Sequence, residues 1–345
     1  MSGPNEDLVG INEVAEMAGR SKQAVANWRA RRSDFPNPVA DLASGPVFRR
    51  SQIRSWLRKR RVPMAQVFST INLKGGVGKT TTTVAMADFM SGVMGKRVLV
   101  IDLDPQTNAT VMMIGEDRWR ELNEKEHTIA RLFKDALDPD NKRFDFDATL
   151  QKGVSNVREA QNIDLLPSSL DLIDVQDQLA SVPTGRFYAV NPTELLLRAV
   201  KSHLDDYDIV IVDCPPNLGI ITLNGLRISN GFVIPTIPDV LSTYGIPQIL
   251  SRVKQFSNEI VESIEPLGIV VTKYQENSTV HRNTLDRLHT NGNPRVFDTI
   301  IPQANQFAAA AEYGGRVTLK QKWGYGGLAD KFDALVREVS AALEG

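Results

Sequence analysis

Residues 74–81 read Lys-Gly-Gly-Val-Gly-Lys-Thr-Thr, and the chemistry this order serves is the cradling of phosphate. Gly75, Gly76, Val77 and Gly78 let successive backbone N–H groups curl around phosphate oxygens, and a following helix N-terminus adds its dipole. Lys79 would then neutralise the outer phosphates of a nucleotide, the Thr80 hydroxyl would hold Mg²⁺, and Thr81 completes the loop. Two further places offer carboxylates where a strand ends: Asp102 and Asp104 after Val98–Ile101, and Asp213 after Ile209–Val212.

Such groups work only if the elements around them hold them in place. Val67–Asn72 reads as a β-branched, apolar strand and Thr81–Met94 as an apolar-periodic helix, so the glycine loop has the strand–loop–helix setting that a phosphate site needs. The ordinary form of this loop carries a glycine five positions before the last one; here that position is Leu73, followed by Lys74. Lys-Gly-Gly-Val-Gly-Lys-Thr-Thr resembles the deviant Walker A loop of the ParA/MinD family of ATPases. The resemblance implies ATP and ADP as ligands, Mg²⁺ as cofactor and a homodimer that forms on ATP binding, with Lys74 reaching the partner's phosphates. It also implies that Asp104 orients the attacking water, that Asp102 lies near the metal and phosphate network, and that Asp213 is the Walker B carboxylate holding Mg²⁺ through water. Pro302 and Gln303 match the family's adenine-contacting segment.

The fold expected for residues 63–345 is α/β, a doubly wound and mostly parallel sheet. Apolar runs at 163–167, 231–235, 268–272 and 296–302 read as buried strands, alternating with helical patterns near 193–204, 223–229, 246–264 and 328–343. Residues 115–160 match the family least and read as a loop-rich insertion. Cys214 is the single cysteine, so no internal disulfide or thiolate metal cage can form, and it reads as a packing residue. The four histidines show no metal-ligand spacing.

The N-terminal stretch differs in charge. Residues 1–62 hold 12 basic and 6 acidic residues, a net charge of +6, leaving 28 basic against 35 acidic residues in the remainder. Ile11, Val14, Ala15 and Ala18 share a helical face, Gly19 breaks the helix, and Ser21 can cap a second helix over Lys22–Arg32. That helix sets Lys22, Gln23, Asn27, Arg29, Arg31 and Arg32 on polar positions, with Val25 and Trp28 as inner anchors. Amides and guanidinium groups on such a helix read base edges in a major groove. A short strand or wing at Pro46–Arg50, a third helix capped by Ser51 and the basic run Arg58–Arg61 follow. Residues 1–62 thus resemble a small α-helical winged helix-turn-helix module of the MerR-like and excisionase-like kind.

The one cysteine excludes relatives that bridge a metal cluster between subunits. The acidic balance of residues 328–345 argues against relatives that bind anionic lipid through a basic C-terminal helix, and no run of about 18 apolar residues occurs. With no secretory signal in MSGPNEDLVG, the expectation is a cytoplasmic, nucleoid-associated protein without a membrane partner. The branch that remains is DNA partition. It implies an ATP-dependent dimer that binds DNA non-specifically and a ParB-like activator that triggers hydrolysis and release, to segregate a plasmid or chromosome. Candidate DNA contacts on the ATPase domain are His281, Arg282, Arg287, Arg295, Lys320 and Lys322. The alternatives are a nucleotide-controlled repressor of its own operon and a positioning ATPase for a non-DNA cargo.

Overall fold

The computed structural model describes residues 8–18, 22–31, 35–42, 45–59, 65–138, 140–181 and 191–344. They fall into two compact units, residues 1–65 with 199–208 and residues 66–198 with 209–345.

In the first unit, strands β1 (Leu8–Gly10), β2 (Ala40–Leu42) and β3 (Gly45–Arg49) form a small antiparallel sheet in the order β1-β3-β2. Helices Ile11–Ala18, Lys22–Arg31 and Arg50–Lys59 accompany it. The Glu13 carboxylate accepts the Gly10 N–H at 3.0 Å, which satisfies one orphan donor where the first helix begins. Val9, Val14, Val25, Phe48 and Ile53 are buried together, and Trp56 meets Trp28 at a tilt, 5.5 Å away, and Phe35 edge-on, 4.9 Å away between ring centroids. Ser51 lies inside the third helix, which begins at Arg50, so it is not the cap expected from its residue type. Gly19, Ser21, Arg32, Arg60 and Arg61 lie outside the described residues, as do the side chains of Asn27, Arg31, Arg58 and Lys59.

The second unit is built on six strands: β4 (Gln66–Thr70), β5 (Val98–Asp102), β6 (Ile163–Leu166), β7 (Ile209–Asp213), β8 (Gly231–Thr236) and β9 (Glu265–Val271). Their order is β6-β5-β7-β4-β8-β9, and every pairing is parallel. Such strands are covered on both faces, which is why β5 and β7 read as continuous apolar runs and are buried throughout. From β4 the chain moves outward to β5 and β6. It then returns to insert β7 between β5 and β4, before β8 and β9 extend the other side. The crossovers therefore diverge around β4, and the carboxyl ends of β4, β5 and β7 frame the crevice where ligands bind in this kind of sheet.

Helix Lys79–Gly92 runs through the core, with its side chains buried from Thr82 to Ser91. A helix apolar around most of its circumference has no solvent face to offer. It packs with Phe68, Val100, Ile211, Trp323 and Phe332, the last on the closing helix Leu328–Glu344.

Three expectations are corrected. The stretch 115–160 is helical over its first half, in Glu116–Glu124 and Ile129–Leu137, and among its described residues mostly loop beyond, apart from Phe146–Thr149. Ile129 and Phe133 share one apolar stripe and are buried, and Arg131 pairs with Asp135 at 2.7 Å and Glu126 at 3.1 Å. Local pattern and ion pairs thus hold residues 116–124 and 129–137 in helices. Val296–Pro302 bridges β9 at Val296 and Tyr274 beyond it at Pro302, without forming a continuous strand. Between them the N–H groups of Asp298 and Thr299 donate to the Glu338 carboxylate at 2.7 and 3.0 Å, so a side chain takes donors a ladder would need. The helical pattern at 193–204 likewise resolves into Leu195–Val200 and a 3₁₀ turn at Leu204–Asp206.

Candidate phosphate-binding site

The loop between β4 and helix Lys79–Gly92 is shaped by two glycines in the left-handed region, Gly76 at φ 75° and Gly78 at φ 85°. A Cβ at Gly76 would meet nothing within 4 Å, so the requirement there is conformational, not steric. The end of β9 braces the loop from the side. Thr272 Oγ1 donates to the Val77 carbonyl at 2.7 Å and Lys273 Nζ to the Gly76 carbonyl at 2.7 Å. Sequence reasoning passed over both; the available signal was a polar Thr-Lys pair at the carboxyl end of a buried parallel strand.

Beneath the loop, Lys79 is buried and donates to the Lys74 carbonyl at 3.3 Å. Burial lowers its pKa, opposed by the charges of Asp213 and Asp104. Thr80 Oγ1 donates to Asp213 Oδ2 at 2.7 Å, and Thr83 and Thr70 hydroxyls donate to Asp213 Oδ1 at 3.1 Å each. Burial raises the Asp213 pKa, the Thr80 hydrogen bond counters this, and Asp104 adds to it. Asp104 is also pushed up by burial, with the Gln106 N–H and Lys79 opposing.

Asp102 has a different position from the one expected of a metal neighbour. Its Oδ1 accepts the Asp104 N–H at 3.1 Å, and its Oδ2 accepts the Thr110 N–H at 2.9 Å and the Thr110 hydroxyl at 2.7 Å. Both oxygens are committed to holding the Asp104 loop. Asp104 Oδ1 in turn accepts the Gln106 N–H at 2.9 Å, and its carbonyl accepts the Ser168 hydroxyl at 2.8 Å.

Two buried carboxylates, Asp104 and Asp213, thus share the buried ammonium of Lys79. A divalent cation fits this excess of negative charge, and the Thr80–Asp213 pair supplies the hard oxygens such an ion takes. Among the described residues no cluster of three histidine, cysteine or carboxylate groups forms a metal cage. A Mg²⁺ here would rely on Thr80, Asp213 and phosphate oxygens. Cys214 is fully buried and its thiol is held protonated by burial, which suits packing and not nucleophilic attack.

Lys74 rests on its own chain. Its Nζ donates to Ser242 Oγ at 3.0 Å and lies 3.5 Å from the Asp239 carboxylate, which N-caps helix Val240–Tyr244. Beside the loop lies a cavity of about 270 Å³ walled by Gly78, Thr81, Lys273, Pro302, Gln303 and Phe307. The structure thus brings Pro302 and Gln303 to the phosphate loop.

The expected DNA contacts divide. Arg282 and Arg287 are exposed on helix Thr279–Asn291, and Lys320 is exposed with Asp330 at 3.9 Å. Lys322 is buried instead: its Nζ pairs with Asp88 at 2.8 Å and donates to Asn156 at 2.8 Å. It is a core ion pair, not a DNA-facing cation. On helix Lys22–Arg31, Lys22, Gln23 and Arg29 are exposed, with Arg29 3.5 Å from Asp41.

A family model described as an AAA domain matches residues 65–265. The chromosome-partitioning ATPase Soj of Thermus thermophilus is 28% identical over 285 residues, covering 83% of this chain and 97% of Soj. A solved structure of cobyrinic acid a,c-diamide synthase from Mycobacterium smegmatis, holding an ATP analog and magnesium, is 28% identical with a TM-score of 0.56, covering 72% of this chain and 91% of that one. Apo McdA of Cyanothece shares the fold at 21% identity and a TM-score of 0.63, covering 80% of this chain and 99% of its own. No helix among the described residues is long and apolar enough to cross a membrane.

Proposed function

Because the chain belongs to the ParA/MinD family of P-loop ATPases, we propose that it is a DNA-partition ATPase. In this reading ATP and Mg²⁺ close a homodimer, the dimer holds DNA, and hydrolysis stimulated by a ParB-like partner releases it. The observation that carries the reading is the Thr80–Asp213 hydrogen bond at 2.7 Å beside the buried Lys79, under a loop of left-handed glycines. That is a phosphate and metal site set at the crevice of a parallel sheet. The role of the Thermus Soj, named as chromosome partitioning, supports the choice of process.

Within the site, the loop N–H groups and Lys79 bind the phosphates. Thr80 would hold Mg²⁺ directly and Asp213 through water, and the ion would supply positive charge against the phosphate oxygens. Asp102 fixes the loop that carries Asp104, and Asp104 orients the attacking water. Pro302 and Gln303 border the base. Lys74 leaves Asp239 and Ser242 to reach the phosphates of the second subunit. Lys79→Ala is expected to abolish nucleotide binding, whereas Lys74→Ala should bind nucleotide yet stay monomeric. Sedimentation with a non-hydrolysable ATP analogue reads both, and an undiminished dimer of Lys74→Ala would remove the intersubunit role.

DNA enters this reading at two surfaces. Arg282, Arg287 and Lys320 supply non-specific contacts on the ATPase unit. Residues 1–62 act as a winged helix-turn-helix whose Lys22, Gln23 and Arg29 face the duplex. A second reading, a nucleotide-controlled repressor, is favoured by the separate core and +6 charge of that segment. Lys22→Ala with Arg29→Ala should erase a discrete operator footprint while ATP-dependent non-specific binding persists. The slope of log affinity against log salt should become shallower by about 1 for each phosphate no longer neutralised. If the double variant keeps its footprint, the helix is not the reader.

A further inference from the structure

At the carboxyl end of β5, four buried residues close a ring of hydrogen bonds. The Asp104 N–H donates to Asp102 Oδ1 at 3.1 Å, and the Thr110 hydroxyl donates to Asp102 Oδ2 at 2.7 Å. The Ser168 N–H donates to Thr110 Oγ1 at 2.9 Å, and the Ser168 hydroxyl donates to the Asp104 carbonyl at 2.8 Å. We propose that Ser168 and Thr110 are positioning residues for ATP hydrolysis, closing with Asp102 a ring that fixes where Asp104 presents its carboxylate to water; the inference rests on the ATPase reading of the site.

The direction of the bonds gives the ring a single arrangement. A carboxylate only accepts, and a hydroxyl has one hydrogen to give. Asp102 takes donors from both sides and Ser168 gives to both sides, so neither hydroxyl can turn away without leaving its own hydrogen buried and unpaired. Ser168 is itself held from outside the ring. Its carbonyl accepts the Trp119 Nε1–H at 3.2 Å, the Pro167 carbonyl accepts the Ile129 N–H at 2.8 Å, and the Ser169 hydroxyl donates to Asn123 Oδ1 at 2.7 Å. Helices Glu116–Glu124 and Ile129–Leu137 thus brace the segment that braces Asp104. The Thr107 N–H also donates to the Asp104 carbonyl, at 2.9 Å, but that bond stays within one turn, whereas Ser168 reaches it from the end of β6. The Asp104 carboxylate is aimed by the Gln106 N–H on Oδ1, from the same turn, so its direction follows the backbone that Ser168 holds. Among the described residues, no hydrogen bond joins Ser168 or Thr110 to the phosphate loop at 74–81, so the ring acts on the rate and not on nucleotide binding.

The test is ATP turnover by the full chain with Mg²⁺ over a range of ATP concentrations, with melting curves to show that each variant is folded. Ser168→Ala removes the donor to the Asp104 carbonyl, and Thr110→Val keeps the shape of threonine while removing its hydroxyl. Each should lower kcat by about 10- to 100-fold, the cost of a misplacement of about 1 Å, while KM for ATP stays within about twofold. Thr110→Ser restores the hydroxyl and should bring kcat back to within about threefold of the wild type. In an Asp104→Ala background Ser168→Ala should cost nothing further, because the carboxylate it positions is gone. Undiminished kcat in either folded variant, Ser168→Ala or Thr110→Val, overturns the proposal, and so does a loss that multiplies in the double variant. A KM raised as far as kcat falls overturns it by moving the effect to the phosphate cradle. Failure of the wild type to hydrolyse ATP overturns the ATPase reading itself.

Discussion

Asp104→Ala is expected to slow ATP turnover by about 10²–10⁴-fold, the usual cost of losing a positioned group that aligns or activates the attacking water. Nucleotide binding should persist, because the cradle uses loop N–H groups, Lys79 and the Thr80–Asp213 pair, none of which Asp104 holds. The loop itself should keep its shape. Asp102 anchors it through the Asp104 and Thr110 N–H groups, and the Ser168 hydroxyl binds the Asp104 carbonyl, which alanine retains. The variant should accumulate as an ATP-bound dimer that stays on DNA. Phosphate release and DNA residence time, measured together, separate two failures. Normal hydrolysis removes the water-orienting role. Blocked hydrolysis with wild-type release keeps that role but breaks the link between hydrolysis and release.

Lys322→Ala is expected to act on stability. Its ammonium is buried against Asp88 at 2.8 Å, and Asp88 also accepts Trp323 Nε1 at 2.9 Å and the Ser155 hydroxyl at 2.9 Å. Removing the lysine leaves a buried carboxylate without its counter-charge, a loss of about 3–5 kcal/mol. For a unit of this size that lowers the melting temperature by roughly 6–20 °C. The exposed Lys320, 3.9 Å from Asp330, is the control, and Lys320→Ala should change stability by no more than about 0.5 kcal/mol. Equal melting temperatures for the two variants would contradict the buried pair. DNA affinity of folded Lys322→Ala should match the wild type, since its side chain does not reach solvent.

These two residues mark the boundary of what could be read from the chain alone. The phosphate loop was legible because its requirements are local. A β-branched strand, glycines that accept positive φ, and a helix starting at Lys79 lie within about 25 consecutive residues. The strands β5 and β7 were legible for a related reason, since a parallel strand buried on both faces must be apolar throughout. Their terminal carboxylates Asp102, Asp104 and Asp213 stand out against such runs. The helix order of the N-terminal segment could be followed through periodicity, although β1 and β2, three residues each, carry too little pattern to be seen.

What the sequence by itself determined was thus the sheet-and-crossover plan, the phosphate cradle and the carboxylates at the strand ends, all set by backbone conformation and burial over short spans. The tertiary structure alone decided the partners of charged and polar side chains. It paired Lys322 with Asp88, committed Asp102 to the Asp104 loop, rested Lys74 on Asp239, and set Lys273 against Gly76, 197 positions away. It also gave the Asp298 and Thr299 N–H groups to Glu338, ending what reads as a strand. A charged residue looks the same in sequence whether it faces water or a buried counter-ion. The choice between those fates is made by which distant segments pack together, because only there does desolvation demand a partner.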